Sequence, residues 1–79
     1  MDIKVLGSGC GNCKNTVALI TEVAQVHGVA ITLEKVEDMR AIIGYGVMRT
    51  PGVVIDGKVV HAGGVPSRDK VEQWLTASA

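Results

Sequence analysis

Two cysteines separated by two residues, Cys10-Gly11-Asn12-Cys13, lie between a short apolar run ending at Gly7-Ser8-Gly9 and a long helix-compatible segment that begins near Lys14. A thiol at the start of a helix faces unpaired backbone N–H groups and the positive end of the helix dipole, and both favour the thiolate. Cys10, the leading residue, is therefore the expected nucleophile, with a pKa drawn down from about 8.5 into the range of about 3.5–7.5 known for such sites. Cys13 is the expected resolving thiol. Their spacing on a first helical turn lets the two sulfurs meet while only the first is exposed, which is what exchange with an external disulfide requires.

Composition narrows the alternatives. A chain of 79 residues with 47% hydrophobic content accommodates one domain, residues 1–79, with one modest core. Eight acidic and eight basic residues give zero net charge, so there is no electrostatic footprint for nucleic acid or anionic lipid. No stretch approaches the roughly 20 apolar residues of a membrane span, and Met1-Asp2-Ile3-Lys4 lacks a charged leader followed by an apolar run. A cytoplasmic location is expected. In a reducing compartment a lone pair of cysteines at this spacing is redox-active or metal-binding more often than a structural staple.

The elements that must position the pair follow from changes in periodicity. Ile3-Lys4-Val5-Leu6 forms a short apolar strand that stops at the glycines and leaves Cys10 just past a strand end. From Cys13 to His27, apolar residues recur at Val17, Ile20, Val23 and Ala24, with Leu19 and Val26 widening the stripe, and Gly28 supplies a helix C′ residue. Val29 to Leu33 alternates as an edge strand does, and a short helix from Asp38 to Ile43 follows. Val53-Val54-Ile55 and Lys58-Val59-Val60 flank Asp56-Gly57, the strongest hairpin signal in the chain. Pro66-Ser67 opens a last helix with Val71, Trp74 and Leu75 at helical spacing. The order strand, helix, strand, helix, hairpin, helix favours a parallel first pair with a right-handed crossover, to which the hairpin adds antiparallel strands.

Cys10-Gly11-Asn12-Cys13 after the first strand, with Thr50-Pro51 just before the hairpin, resembles the thioredoxin and glutaredoxin superfamily over nearly the whole chain. The similarity is greatest to small glutaredoxin-like redox proteins, in which a segment like Tyr45 to Pro51 precedes a Val-Ile-Asp-Gly-Lys hairpin. This resemblance implies an α/β thioredoxin-like fold, β-α-β-α-β-β-α, with a mixed four-stranded sheet of order 2-1-3-4. It also implies a thiol-disulfide oxidoreductase with Cys10 as nucleophile and Cys13 as resolving residue. Substrate would contact Thr50 and Pro51, the proline in cis and facing the cysteines, and Gly11 and Asn12 between them. The expected partners are protein or small-thiol disulfides, with glutathione or a reductase as electron donor and no cofactor. Gly63-Gly64 resembles the glycines near the glutathione site of glutaredoxins. The chain departs from the larger thioredoxins, which have Trp before the first cysteine and Gly-Pro inside the pair, where this chain has Gly9 and Gly11-Asn12. Nor does the first strand hold an acidic residue beyond Asp2, so a buried carboxylate that assists proton transfer has no counterpart and water would serve.

The alternative from another class is a small copper- or zinc-binding domain, since soft thiolates at this spacing suit both metals. Copper-handling domains carry Met two residues before the first cysteine and lack Thr-Pro ahead of an Asp-Gly hairpin; this chain has Ser8 and Thr50-Pro51. A Cys2His2 site using His27 and His61 is disfavoured because the segment between them far exceeds the three to five residues of a zinc finger. His27 is expected to interact with its own helix terminus and His61 to end a strand. Tyr45 and Trp74 are expected to pack, and Lys14, Arg40, Arg49 and Arg68 to be solvated. A non-catalytic adaptor ranks lower, because such modules commonly lose a cysteine and both are present here.

Overall fold

The computed structural model describes residues 1–7 and 11–76. In chain order these form β1 (Asp2–Leu6), α1 (Gly11–His27), β2 (Thr32–Val36), α2 (Met39–Gly44), β3 (Gly52–Ile55), β4 (Lys58–Ala62) and α3 (Arg68–Thr76). The strands make one sheet in the order β2-β1-β3-β4, with β1 parallel to β2 and the other neighbours antiparallel. The mixed sheet of order 2-1-3-4 is the one expected from the sequence, and the fold is thioredoxin-like.

Period-two alternation divides β1 between two layers. Ile3 and Val5 stand opposite Ile55 and Val53 and pack with Ile20, Val23 and Ala24 of α1 and Val71 and Leu75 of α3. On the other face Leu6 and Val54 pack with Ile42 and Val47, under α2. Lys4 shares that face beside Tyr45. Cys13, Thr16, Ile20, Val23 and Ala24 are the buried stripe of α1, whereas Val26, expected on that stripe, is 64% exposed. At the end of α1 the N–H groups of Gly28 and Val29 donate to the carbonyls of Gln25 and Ala24, at 3.3 and 2.9 Å, a Schellman closure with Gly28 at φ 65°.

The sequence pattern placed the second strand at Val29 to Leu33, but the ladder runs Thr32–Val36. Val29 is occupied in closing α1, and the parallel register Asp2↔Thr32 through Leu6↔Val36 starts only where Met1 receives the Thr32 N–H at 2.9 Å. The apolar alternation of Val29 and Ile31 reflects packing against the main core. His27 also differs from expectation. Its Nε2 lies 3.0 Å from Glu72 Oε1 on α3, because the Schellman bonds already satisfy the helix terminus.

Local chemistry fixes the remaining boundaries. Asp38 caps α2 by accepting the Arg40 N–H at 2.9 Å, and Ser67 Oγ accepts the Lys70 N–H at 3.2 Å at the start of α3. Asp56 and Gly57 both have positive φ, 49° and 85°, as a type I′ hairpin turn demands. The turn is tied to β1, for Asp2 O receives the Asp56 N–H at 2.8 Å and Asp56 Oδ1 receives the Asp2 N–H at 2.9 Å.

The Tyr45 hydroxyl beside Lys4, followed by the carboxylates of Glu34 and Asp2, holds the Lys4 ammonium above its ordinary pKa of 10.5. A cation favoured in the folded state contributes stability that is fully present below pH 10.5 and is lost as pH rises through the folded pKa. Nitrogen-detected titration of the Lys4 side chain is expected to give a midpoint above 10.5, and Tyr45→Phe to bring it back toward that value. A midpoint at or below 10.5 in the wild type would contradict this contact.

Candidate active site

The site begins where β1 leaves the sheet. The Gly7 N–H donates to the Val36 carbonyl at 2.9 Å, extending the parallel ladder by one bond, and Gly7 then turns at φ 152°. A Cβ on Gly7 would collide with Cys13 Sγ and stand 3.2 Å from Thr50 Cβ. The end of β1, the first turn of α1 and the loop before β3 thus converge on a point with room for hydrogen alone.

Cys13 reaches this point because it lies on the buried stripe of α1, three residues before Thr16 and seven before Ile20. Its side chain is 7% exposed. Thr16 is fully buried yet satisfied, since its hydroxyl donates to the Asn12 carbonyl at 2.7 Å. Gly11 and Asn12 are exposed at the helix entrance, and among the described residues nothing stands within 4 Å of where a Cβ on Gly11 would project. No acidic residue occupies the first turn of α1, so nothing there offsets the positive end of its dipole. Cys10 lies outside the described residues, as do Ser8 and Gly9.

Thr50 and Pro51 form the opposite wall. The bond between them is cis, as the family resemblance implied; Pro51 is buried and Thr50 exposed. The Pro51 carbonyl accepts the Gly63 N–H at 3.0 Å, and Gly52 then starts β3 opposite Leu6 and Ala62. A Cβ on Gly52 would stand 3.0 Å from Val47 Cγ1, so this glycine lets the loop from α2 close over the sheet. Between α2 and Thr50 runs a groove of ≈ 640 Å³ whose lining includes Met39, Ile43, Val47 and Met48. Met48 is 95% exposed beside it.

Of the residues singled out from sequence, the fold therefore brings Cys13 and Thr50 together at Gly7, buries Pro51 next in chain to Thr50, and puts Gly11 and Asn12 at the helix entrance. Three contributors escaped sequence reasoning. Gly7 had registered only as a strand stop, although its place as first of the Gly-Ser-Gly run was the available signal. Gly52 carried a similar signal, following Pro51 directly, and Thr16 lay three residues after Cys13 on the same stripe. The histidines take partners elsewhere: His27 with Glu72, and His61 with Gly64 and Lys70. Among the described residues no three His, Cys, Asp or Glu side chains cluster as a metal site would need. No described helix is long and apolar enough to cross a membrane.

A strand leading to a helix that starts in the cysteine motif, with a cis-proline loop facing it, defines a thioredoxin-like class of protein. The family model described as Thioredoxin domain matches residues 1–76, and the chain belongs to that family. It is 29% identical over 76 residues to a thioredoxin of Methanothermobacter thermautotrophicus, an alignment spanning 96% of this chain and 99% of that protein. It is 30% identical over 73 residues to a thioredoxin of Methanocaldococcus jannaschii, spanning 92% of this chain and 84% of that one.

Gly7→Ala is expected to destabilise the fold by about 2–4 kcal/mol, since it combines a disfavoured φ with a collision against Cys13 Sγ. Gly44→Ala at the end of α2, where a Cβ meets open space, is the control and is expected to be neutral or stabilising. Urea unfolding of both variants measures the difference; equal stabilities would contradict the close approach at Gly7.

Proposed function

We propose that this chain is a thiol-disulfide oxidoreductase in which Cys10 and Cys13 form the exchanging couple. The Cys10 thiolate attacks one sulfur of a substrate disulfide, the substrate S–S bond breaks, and one substrate thiolate departs while a mixed disulfide forms. The Cys13 thiolate then attacks the Cys10 sulfur and expels the second substrate thiolate. Two electrons have passed to the substrate, and the protein holds a Cys10–Cys13 disulfide that an external dithiol or two monothiols must reduce. Protons for the departing thiolates come from water.

The observation that carries this reading is the convergence of Cys13 Sγ and Thr50 on Gly7, with the cis bond to a buried Pro51 following Thr50. A sulfur 7% exposed suits a resolving thiol, which must meet its neighbour and be screened from solvent oxidants and substrates. The first turn of α1, without an acidic residue, suits an anion one residue ahead of Gly11. Exposed Thr50, Gly11 and Asn12 suit a surface that receives an extended substrate segment, as a strand adds to a sheet edge. The apolar groove beside Thr50 favours protein disulfides flanked by hydrophobic residues, with small-molecule disulfides as further substrates. The relatives named thioredoxin support the same class of activity. We further infer that residues 1–79 act as a single domain in the cytoplasm, reduced by a reductase or by glutathione and needing no bound cofactor.

Alkylation across pH tests the assignment of roles. Cys10 is expected to react much faster than Cys13, with a midpoint inside the range of about 3.5–7.5 for activated thiols. Equal rates and midpoints near the ordinary value of about 8.5 would contradict an activated nucleophile. Cys13→Ser is expected to accumulate mixed disulfides through Cys10, and Cys10→Ser to accumulate none.

A further inference from the structure

A series of polar contacts joins α3 to the Thr50-Pro51 wall through a residue that the exchange reaction does not use. His61 and Ala62 end β4 opposite Val53 and Gly52, after which the chain reverses through Gly63 and Gly64 at φ 85° and 70°. The His61 ring lies across this reversal, with Nε2 2.9 Å from the Gly64 carbonyl oxygen and Nδ1 3.0 Å from Lys70 Nζ. A carbonyl accepts and an ammonium donates, so the proton is on Nε2 and Nδ1 is the acceptor. The Trp74 ring lies alongside, 6.0 Å from the imidazole and tilted by 57°, with Lys70 Nζ 5.8 Å from its centre. One ring therefore links α3 to the turn through both of its nitrogens.

The same turn grips the site on its other side. The Gly63 N–H donates to the Pro51 carbonyl at 3.0 Å, and a Cβ on Gly63 would stand 3.2 Å from Arg49 Cβ. Two successive glycines have the widest backbone freedom of any dipeptide, so the turn's geometry depends on contacts made from outside it. The bond to His61 holds it from the helix layer, and the bond to Pro51 passes that constraint to the residue that follows Thr50.

We infer that His61 is a positioning residue for disulfide exchange: by holding Gly64 it fixes the Gly63-Gly64 turn, which in turn fixes the Pro51 carbonyl and the backbone offered to substrate. The role rests on the proposed reaction and goes beyond it, because neither the cysteine motif nor Thr50-Pro51 points to His61. Its effect falls on docking of the substrate segment, so it changes KM and leaves the thiol chemistry in kcat.

The test compares three substitutions with different hydrogen-bonding reach. The amide nitrogen of Gln occupies the position of ring Nε2, whereas that of Asn occupies the position of Nδ1 and falls short of Gly64. His61→Ala and His61→Asn are expected to raise KM for a protein disulfide about three- to tenfold with kcat retained, the worth of one hydrogen bond. His61→Gln is expected to restore most of the loss. Amide exchange at Gly63, read by NMR on the reduced proteins, is expected to quicken in the Ala and Asn variants and to stay near wild type in Gln. An active wild type whose KM and Gly63 exchange are unaltered in His61→Asn, or a Gln variant as impaired as Ala, would overturn the role of His61 alone. A correctly folded wild type with no disulfide reductase activity would overturn the reaction and this role with it.

Discussion

Two chain segments close on Gly7 at the end of β1, one of them more tightly than a side chain there would allow, and the geometry of the site depends on that contact. The sulfur of Cys13 and the side chain of Thr50 occupy the space where a Cβ would project. β1 and these two segments are each placed by a separate constraint. The pairing of Leu6 with Val36 and Gly52 sets where β1 ends. The stripe from Cys13 to Ala24 sets the rotation of α1 over the sheet, and the bond from Gly63 to Pro51 sets the height of the loop before β3. A change in any one would open the contact or close it by collision.

The energetics favour the same arrangement. Burial of Ile3, Val5, Ile20, Val23 and Val71 between the sheet and the α1/α3 layer supplies about 1.5–3 kcal/mol per side chain, against which an exposed ion pair such as Arg68 to Glu22 counts for little. Cys13 is the first member of a stripe whose later residues, Ile20, Val23 and Ala24, belong to this core, so the proposed resolving position is carried by a helix that the core anchors. The layer over the other face is slighter, with one six-residue helix and the cluster of Leu6, Ile42, Val47 and Val54. That side carries the exposed Met48 and the groove beside Thr50, where a partner would gain apolar contact.

Elements whose evidence is local were legible in the sequence. Asp56-Gly57 between two β-branched runs marks a hairpin because both residues accept positive φ, and Gly28 marks the end of α1 for the same reason. The second strand was misplaced because alternation reports burial, while ladder position is decided by a partner strand distant in sequence. The environment of His27 was missed on the same ground, since nothing near it in the chain indicates that Glu72 will stand opposite. At the candidate site, Cys13, Thr50 and Pro51 are singled out through motif and resemblance, but Gly7 and Gly52 matter through close approach and Thr16 through the hydrogen bond of its buried side chain, which spacing alone does not encode. His61 belongs with these, a strand residue whose importance comes from the turn its ring crosses.

In the proposed reaction Cys10 and Cys13 exchange two electrons as one couple inside a fold that accommodates both states. Equilibrating the protein in buffers of graded thiol-disulfide ratio, with the lone Trp74 and mass spectrometry as reporters, measures this directly. The prediction is one reversible two-electron transition between monomeric dithiol and intramolecular disulfide, with a potential within the span of about −270 to −120 mV found for such couples. Separate one-thiol transitions ending in stable mixed disulfides on each cysteine, or a pair that stays reduced across that span, would contradict it.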